Sequence, residues 1–134
     1  MQDEYAGASQ TPGALSILLV DDSIVLRSIL RMELQAAGFA VCSVQSGLDG
    51  IEALDSDQDY DLIITDFHMP GMDGAEFVGC VRRHPRHKRV PILVLTADAD
   101  VHEKERARDA GANGWIVKPF DTAKLAAAIH KLAH

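Results

Sequence analysis

Five short apolar runs punctuate the chain, and each is followed by a turn and then by a segment with helical spacing. The runs are Leu15–Val20, Ala40–Val44, Leu62–Thr65, Ile92–Leu95 and Trp115–Val117. Runs this short and this apolar match strands buried on both faces of a sheet, which is the habit of parallel strands. In the first intervening segment Leu26, Ile29, Leu30, Leu34 and Ala37 recur with a helical period, and Gly38 follows as a stop. Ser46 stands ahead of Leu48, Ile51 and Leu54, with Asp49 three residues on in capping-box spacing. Asp73 and Glu76 repeat that spacing ahead of Phe77, Cys80 and Val81, and Asp121 opens a last helix with Leu125, Ala128, Ile129 and Leu132 on one face. Alternation of strand and helix with short connections predicts parallel pairing and right-handed crossovers, hence a three-layer α/β sandwich.

The fourth helical segment, about 98–110, departs from this pattern. Val101 is its one large aliphatic residue, and the rest is Ala and charge. Helices in proteins take most of their stability from packing an apolar face, so this one is expected to be the most weakly held. Either it is a solvated surface helix supported by i,i+4 ion pairs, or it is an element with two accessible positions. The basic segment 82–89 (RRHPRHKR) holds five of the thirteen Lys and Arg. Such blocks are usually solvated. The alternatives are docking to an acidic partner or a weak nucleic-acid contact, the second poorly supported without interleaved aromatic residues.

A length of 134 residues suits one domain. Residues 1–13, polar and without periodicity, read as a loose tail ahead of a domain over 14–134. A net charge of −7 argues against nucleic acid or a membrane surface as the main partner. Cys42 and Cys80 belong to no CxxC pair, so they are expected to be reduced, small hydrophobes rather than a disulfide or zinc site. The N-terminus lacks the basic start and apolar stretch of a signal peptide, and no apolar run approaches the ~18–20 residues of a membrane span. A cytoplasmic setting is the resulting expectation.

In open α/β sheets, ligands bind outside the carboxyl ends of the strands. Asp21 and Asp22 follow the first run, Asp66 the third, Thr96 the fourth, and Lys118 with Pro119 the fifth. Singly, each has a structural explanation: Asp22 or Ser23 as a helix cap, Asp66 as a turn residue, Thr96 as a strand end, Lys118 as a solvated charge. A parallel sheet, however, gathers them at one edge. Two unit charges ~4 Å apart repel by about 4 kcal/mol at an effective dielectric near 20, so three carboxylates there call for a proton or a cation. All-oxygen ligands select a hard cation, and Mg²⁺ suits one or two carboxylates plus waters and a phosphate. Such a pocket, with Lys118 beside it, favours an incoming phosphoryl group, for which one carboxylate could serve as nucleophile.

Four pieces in order, LLVDDS (18–23), DLIITDFHMPGMDG (61–74), PILVLTA (91–97) and DAGANGWIVKPF (109–120), resemble the receiver domain of two-component response regulators. The resemblance runs from about Ser16 to Leu132 and is greatest to the stand-alone, chemotaxis-type members. It implies a flavodoxin-like, doubly wound five-stranded parallel sheet in the order 2-1-3-4-5 with five helices. It further implies that Asp66 accepts a phosphoryl group from a histidine kinase or a phosphotransfer histidine. Asp22, Asp66 and the backbone carbonyl of His68 would bind Mg²⁺, with Asp21 acting through a metal-bound water. Lys118 would pair with a phosphoryl oxygen, Thr96 would hydrogen-bond the phosphoryl group, and the Lys118–Pro119 bond would be cis. The family's switching aromatic, commonly Tyr or Phe, falls here on Trp115, a departure that leaves the aromatic step open. His68 and Asp98 occupy the positions that tune phosphoryl lifetime.

On this basis the expected function is a single-domain regulator. It would signal through a protein target or a homodimer on the face of the fourth helix, fifth strand and fifth helix. One alternative is a receiver fragment of a longer regulator with a DNA-binding or enzymatic output. The chain starts at Met1 and ends two residues after Leu132, which leaves nothing expected beyond the fifth helix. A haloacid-dehalogenase-like phosphohydrolase would carry an Asp two residues after its nucleophile at the end of the first strand, whereas Asp21 is followed by Asp22 and Ser23. A pseudo-receiver that signals without phosphate is the remaining alternative, set against an intact acidic set.

Overall fold

The computed structural model describes residues 14–97 and 101–133. The tail expected over residues 1–13 and the site residue Asp98 lie outside the described residues. Strands β1 (Ser16–Val20), β2 (Ala40–Val44), β3 (Leu62–Asp66), β4 (Ile92–Thr96) and β5 (Gly114–Val117) alternate with five helices. These are α1 (Ile24–Ala36), α2 (Gly47–Asp55), α3 (Gly74–Arg82), α4 (Val101–Ala110) and α5 (Thr122–Ala133). All strand pairs are parallel, in the order β2-β1-β3-β4-β5, so the fold is the flavodoxin-like one that the resemblance implied.

The period-two alternation of each strand sorts its side chains into two cores. Ile17, Leu19, Leu62 and Ile64 pack with Leu30 and Leu34 of α1 and Leu125 and Ile129 of α5. On the other face Leu18, Val20, Ile63 and Val94 pack with Leu54 of α2, Phe77, Val78 and Val81 of α3, and Ala107 of α4. Each large apolar side chain so buried is worth roughly 1.5–3 kcal/mol, which is why the short strands need no polar face. The helix starts follow the cap signals. Ser23 Oγ accepts from the Leu26 N–H, Ser46 Oγ from that of Asp49, and Asp121 Oδ1 from that of Lys124. Asp73 and Glu76 form the full reciprocal capping box.

Two strands extend one residue past their apolar runs. Asp66 pairs in register with Leu95, and Thr96 with Val117. Ladder bonds are made by backbone, so a polar side chain does not end a strand. As a result both residues are held by the sheet rather than by a loop.

The basic segment is less solvated than its composition suggested. The Arg82 guanidinium donates to the carbonyls of Gly111, Lys88 and Val90 and to Asn113 Oδ1. Arg86 bonds the carbonyls of Leu54 and Ser56, His84 bonds Asp55, and His87 is buried. These side chains tie together loops at the sheet edge opposite the acidic strand ends. Partial burial lowers the Arg82 pKa from its usual value.

Candidate functional site

Two chain segments, at the ends of β1 and β3, bring Asp21, Asp22 and Asp66 together. One carboxylate oxygen from each lies within 4.8 Å of those of the other two. Asp21 and Asp66 are buried and Asp22 is exposed, so the cluster opens to solvent on one side. Ser23, not Asp22, caps α1, which leaves the Asp22 carboxylate outside the capping bond. Across the sheet from β1, Lys118 Nζ donates to Asp66 Oδ1 at 3.1 Å. The Lys118 N–H also bonds the Thr96 carbonyl at 2.8 Å, and the Lys118–Pro119 peptide is cis.

Asp21 is held on one side and open on the other. Its Oδ1 accepts from the Ser23 N–H at 2.9 Å and its backbone carbonyl from Arg27 at 2.7 Å. Its Oδ2 is buried with no hydrogen-bond partner among the described residues. Burial pushes the Asp21 carboxyl above the usual carboxylate range. The Ser23 hydrogen bond and the Lys118 charge pull against this, and the charges on Asp66 and Asp22 add to it. A buried, unpartnered carboxylate oxygen beside two more carboxylates fits a hard divalent cation, which supplies both a ligand and the missing positive charge.

The loop after β3 is pressed against the start of α3. The Gly74 N–H donates to the Phe67 carbonyl at 2.7 Å, and a Cβ at Gly74 would stand 2.6 Å from the Asp66 carbonyl oxygen. Only glycine allows this approach, which fixes the backbone on either side of Asp66.

Thr96 is fully buried at the end of β4. Trp115 lies opposite Val94 on the edge strand β5, with its side chain 37% exposed rather than turned into the core. The His68 side chain is also mostly exposed. It points to α4, where its Nε2 lies 2.6 Å from Glu103 Oε2. Neither Glu103 nor Gly74 was legible as a site-forming residue, since nothing in the local pattern ties Glu103 to a position 35 residues earlier.

Residues 17–130 match the model of the response regulator receiver domain. The chain belongs to the response regulator receiver family. It is 37% identical over 120 residues to the chemotaxis protein CheY-3 of Vibrio cholerae, a match covering 88% of this chain and 91% of that protein. Identity to the chemotaxis protein CheY1 of Helicobacter pylori is also 37%, over 79% of this chain and 86% of the relative. Among solved structures, the response regulator CheY4 of Vibrio cholerae superposes with a TM-score of 0.83 at 35% identity, covering 89% of this chain and 98% of that one. The receiver domain of a sensor histidine kinase from Pseudomonas aeruginosa, solved with a magnesium ion coordinated in its active site cleft, gives 0.83 at 30% identity, covering 90% and 98%. This receiver domain thus matches single-domain chemotaxis members over most of their length, and it has the acidic cluster in which receiver domains bind Mg²⁺. Among the described residues no helix is long and apolar enough to cross a membrane.

Proposed function

We propose that Asp66 is the phosphoacceptor of this receiver domain and that Asp22, Asp66 and the His68 carbonyl hold Mg²⁺, with Asp21 acting through water. The observation that carries this reading is the convergence of three carboxylates with Lys118 Nζ, 3.1 Å from Asp66 Oδ1. Phosphoryl transfer demands little covalent chemistry of a protein, mainly alignment and neutralisation of charge. When bound, the ion supplies positive charge to phosphoryl oxygens. An Asp66 oxygen bonds phosphorus as the phosphorus–nitrogen bond of a phosphohistidine breaks. The imidazole leaves with that electron pair and takes a proton from solvent. Lys118 shifts from Asp66 to a phosphoryl oxygen, and the Thr96 hydroxyl donates to another. Trp115, held at the sheet edge, follows Thr96. His68 and Asp98 govern the access of water, and with it the lifetime of the aspartyl phosphate.

The donor is a histidine kinase or phosphotransfer protein, and the setting is cytoplasmic. Ile24, Val25, Ile29 and Met32 are 46–69% exposed along α1, which starts beside Asp22, and this supports docking of the donor over α1. The output is a protein target or a homodimer on the α4–β5–α5 face, so the domain acts as a signalling module rather than a turnover enzyme. Incubation with Mg²⁺ and acetyl phosphate tests the acceptor. The intact mass should rise by one phosphoryl group in the wild type and stay unchanged in Asp66→Asn. A gain that survives the substitution overturns the assignment.

A further inference from the structure

Among its side chains α4 buries Ala107, while Val101 is 62% exposed, so apolar packing holds this helix only lightly. Polar contacts supply what packing does not. Glu103 and Arg106, at i and i+3 on one side of α4, both reach the loop that follows β3. His68 Nε2 and Glu103 Oε2 are 2.6 Å apart. Arg106 donates to Asp73 Oδ2 at 2.9 Å, and its guanidinium carbon sits 5.5 Å from the centre of the Phe67 ring. Phe67 and His68 meet edge to face at 5.2 Å, so the two contacts are joined through one aromatic pair. The Glu103 and Asp73 side chains are 15% and 25% exposed, which shields both pairs from full solvent screening.

We propose that these contacts form a clasp through which the phosphoacceptor loop sets the position of α4 directly, by a route that does not pass through Thr96 or Trp115. The clasp deepens the function proposed above and rests on Asp66 being the acceptor. His68 lies two residues beyond Asp66, and its ring has one Nε2–H to give. A dianionic group on Asp66 competes with the Glu103 carboxylate for that imidazole and repels the carboxylate itself. Both effects break the His68–Glu103 half of the clasp, leaving α4 tied to the loop through Arg106 alone and freer to shift. Linkage makes the coupling reciprocal: a partner that draws α4 away changes the affinity of the acceptor site for its ligands.

Amide hydrogen exchange on the full chain, without any phosphodonor, tests the resting clasp. In Glu103→Ala and in His68→Ala, α4 amides should exchange about three- to ten-fold faster than in the wild type, the effect of losing one partly shielded charge-assisted bond. The double variant should be no faster than the faster single, and α5 amides should be unchanged. Alanine has the higher helix propensity, so faster exchange in Glu103→Ala cannot be a propensity effect. Adding Mg²⁺ and beryllofluoride should speed α4 exchange in the wild type and have little further effect in either variant. Unchanged exchange in the single variants, additive effects in the double, or an equal beryllofluoride response with and without the clasp overturns the proposal. Intact mass after acetyl phosphate separates the two readings. A mass gain without an α4 response overturns the clasp, and no gain overturns the acceptor assignment beneath it.

Discussion

Lys118 Nζ reaches Asp66 Oδ1 at 3.1 Å from the end of β5, with β4 lying between their two strands. The lysine spans a whole strand to neutralise the Asp66 carboxylate. It therefore competes with any cation for the same carboxylate and is already placed for the oxygens of an arriving phosphoryl group.

Replacing Lys118 should separate these two roles. In Lys118→Met the rate of phosphorylation by acetyl phosphate should fall by about a hundredfold, as on loss of one preorganised charge stabiliser. Mg²⁺ binding, measured by calorimetry, should tighten by about five-fold, the effect of removing roughly 1 kcal/mol of well-screened competition. Slower transfer with weaker Mg²⁺ binding would mean that Lys118 builds the site rather than competing within it.

Asp21 bears a burial penalty when ionised. Its folded pKa is raised, so the folded state holds its proton more tightly than the unfolded chain. The strain is absent below the unfolded value of 3.8 and grows as pH rises through the folded value. Asp21→Asn should accordingly melt about 4 °C higher than the wild type at neutral pH without Mg²⁺, corresponding to about 1 kcal/mol. The stabilisation that Mg²⁺ gives the wild type should shrink in this variant. A lower melting temperature without the ion would show that the carboxylate is needed for the fold.

His87 should make the domain acid-sensitive. It is 3% exposed, and neither ring nitrogen has a hydrogen-bond partner among the described residues, since the 4.0 Å separation of Nε2 from Asp59 is too long for one. Burial lowers its pKa below 6.5, helped by neighbouring His84 and Arg86 and opposed by Asp59. The unfolded chain then takes up the proton first. The neutral ring's contribution is complete above pH 6.5 and is lost as pH falls from there through the folded value. Urea midpoints measured from pH 7.5 to 5 should drop in the wild type and drop less in His87→Leu. Parallel curves would remove His87 from the acid response.

Two glycines of α3 should respond oppositely to alanine. At Gly74 the added Cβ meets backbone at 2.6–2.7 Å, whereas at Gly79 the nearest atom is the flexible Arg83 guanidinium at 3.5 Å. Gly74→Ala should lose about 1–3 kcal/mol by overpacking and slow phosphorylation by displacing the acceptor loop. Gly79→Ala should gain up to about 1 kcal/mol from helix propensity. Chemical denaturation of both checks the contrast, and equal effects would refute it.

Much of this molecule is written in local pattern. Alternation of apolar runs with helical segments specifies the parallel sheet, because both are short-range consequences of burying one strand face or one helix stripe. The strand-end residues Asp21, Asp22, Asp66 and Lys118 could be gathered at one edge from that topology, and the structure brings them together. Other features could not be read that way. The composition of the basic segment predicts a solvated stretch, yet Arg82 bonds backbone and side-chain acceptors 29 and 31 residues away. Trp115 could have faced inward or outward, and the structure leaves it 37% exposed on the edge strand β5. The shortage of apolar contacts on α4 is legible in its composition, while its contact partners His68 and Asp73 are not.

The sequence by itself thus determined the layers, the strand order expected of its family and which side chains end the strands. The tertiary structure alone decided which charged groups found partners, because an ion pair is chosen by distance in space, and charged residues carry no periodicity along the chain that records it.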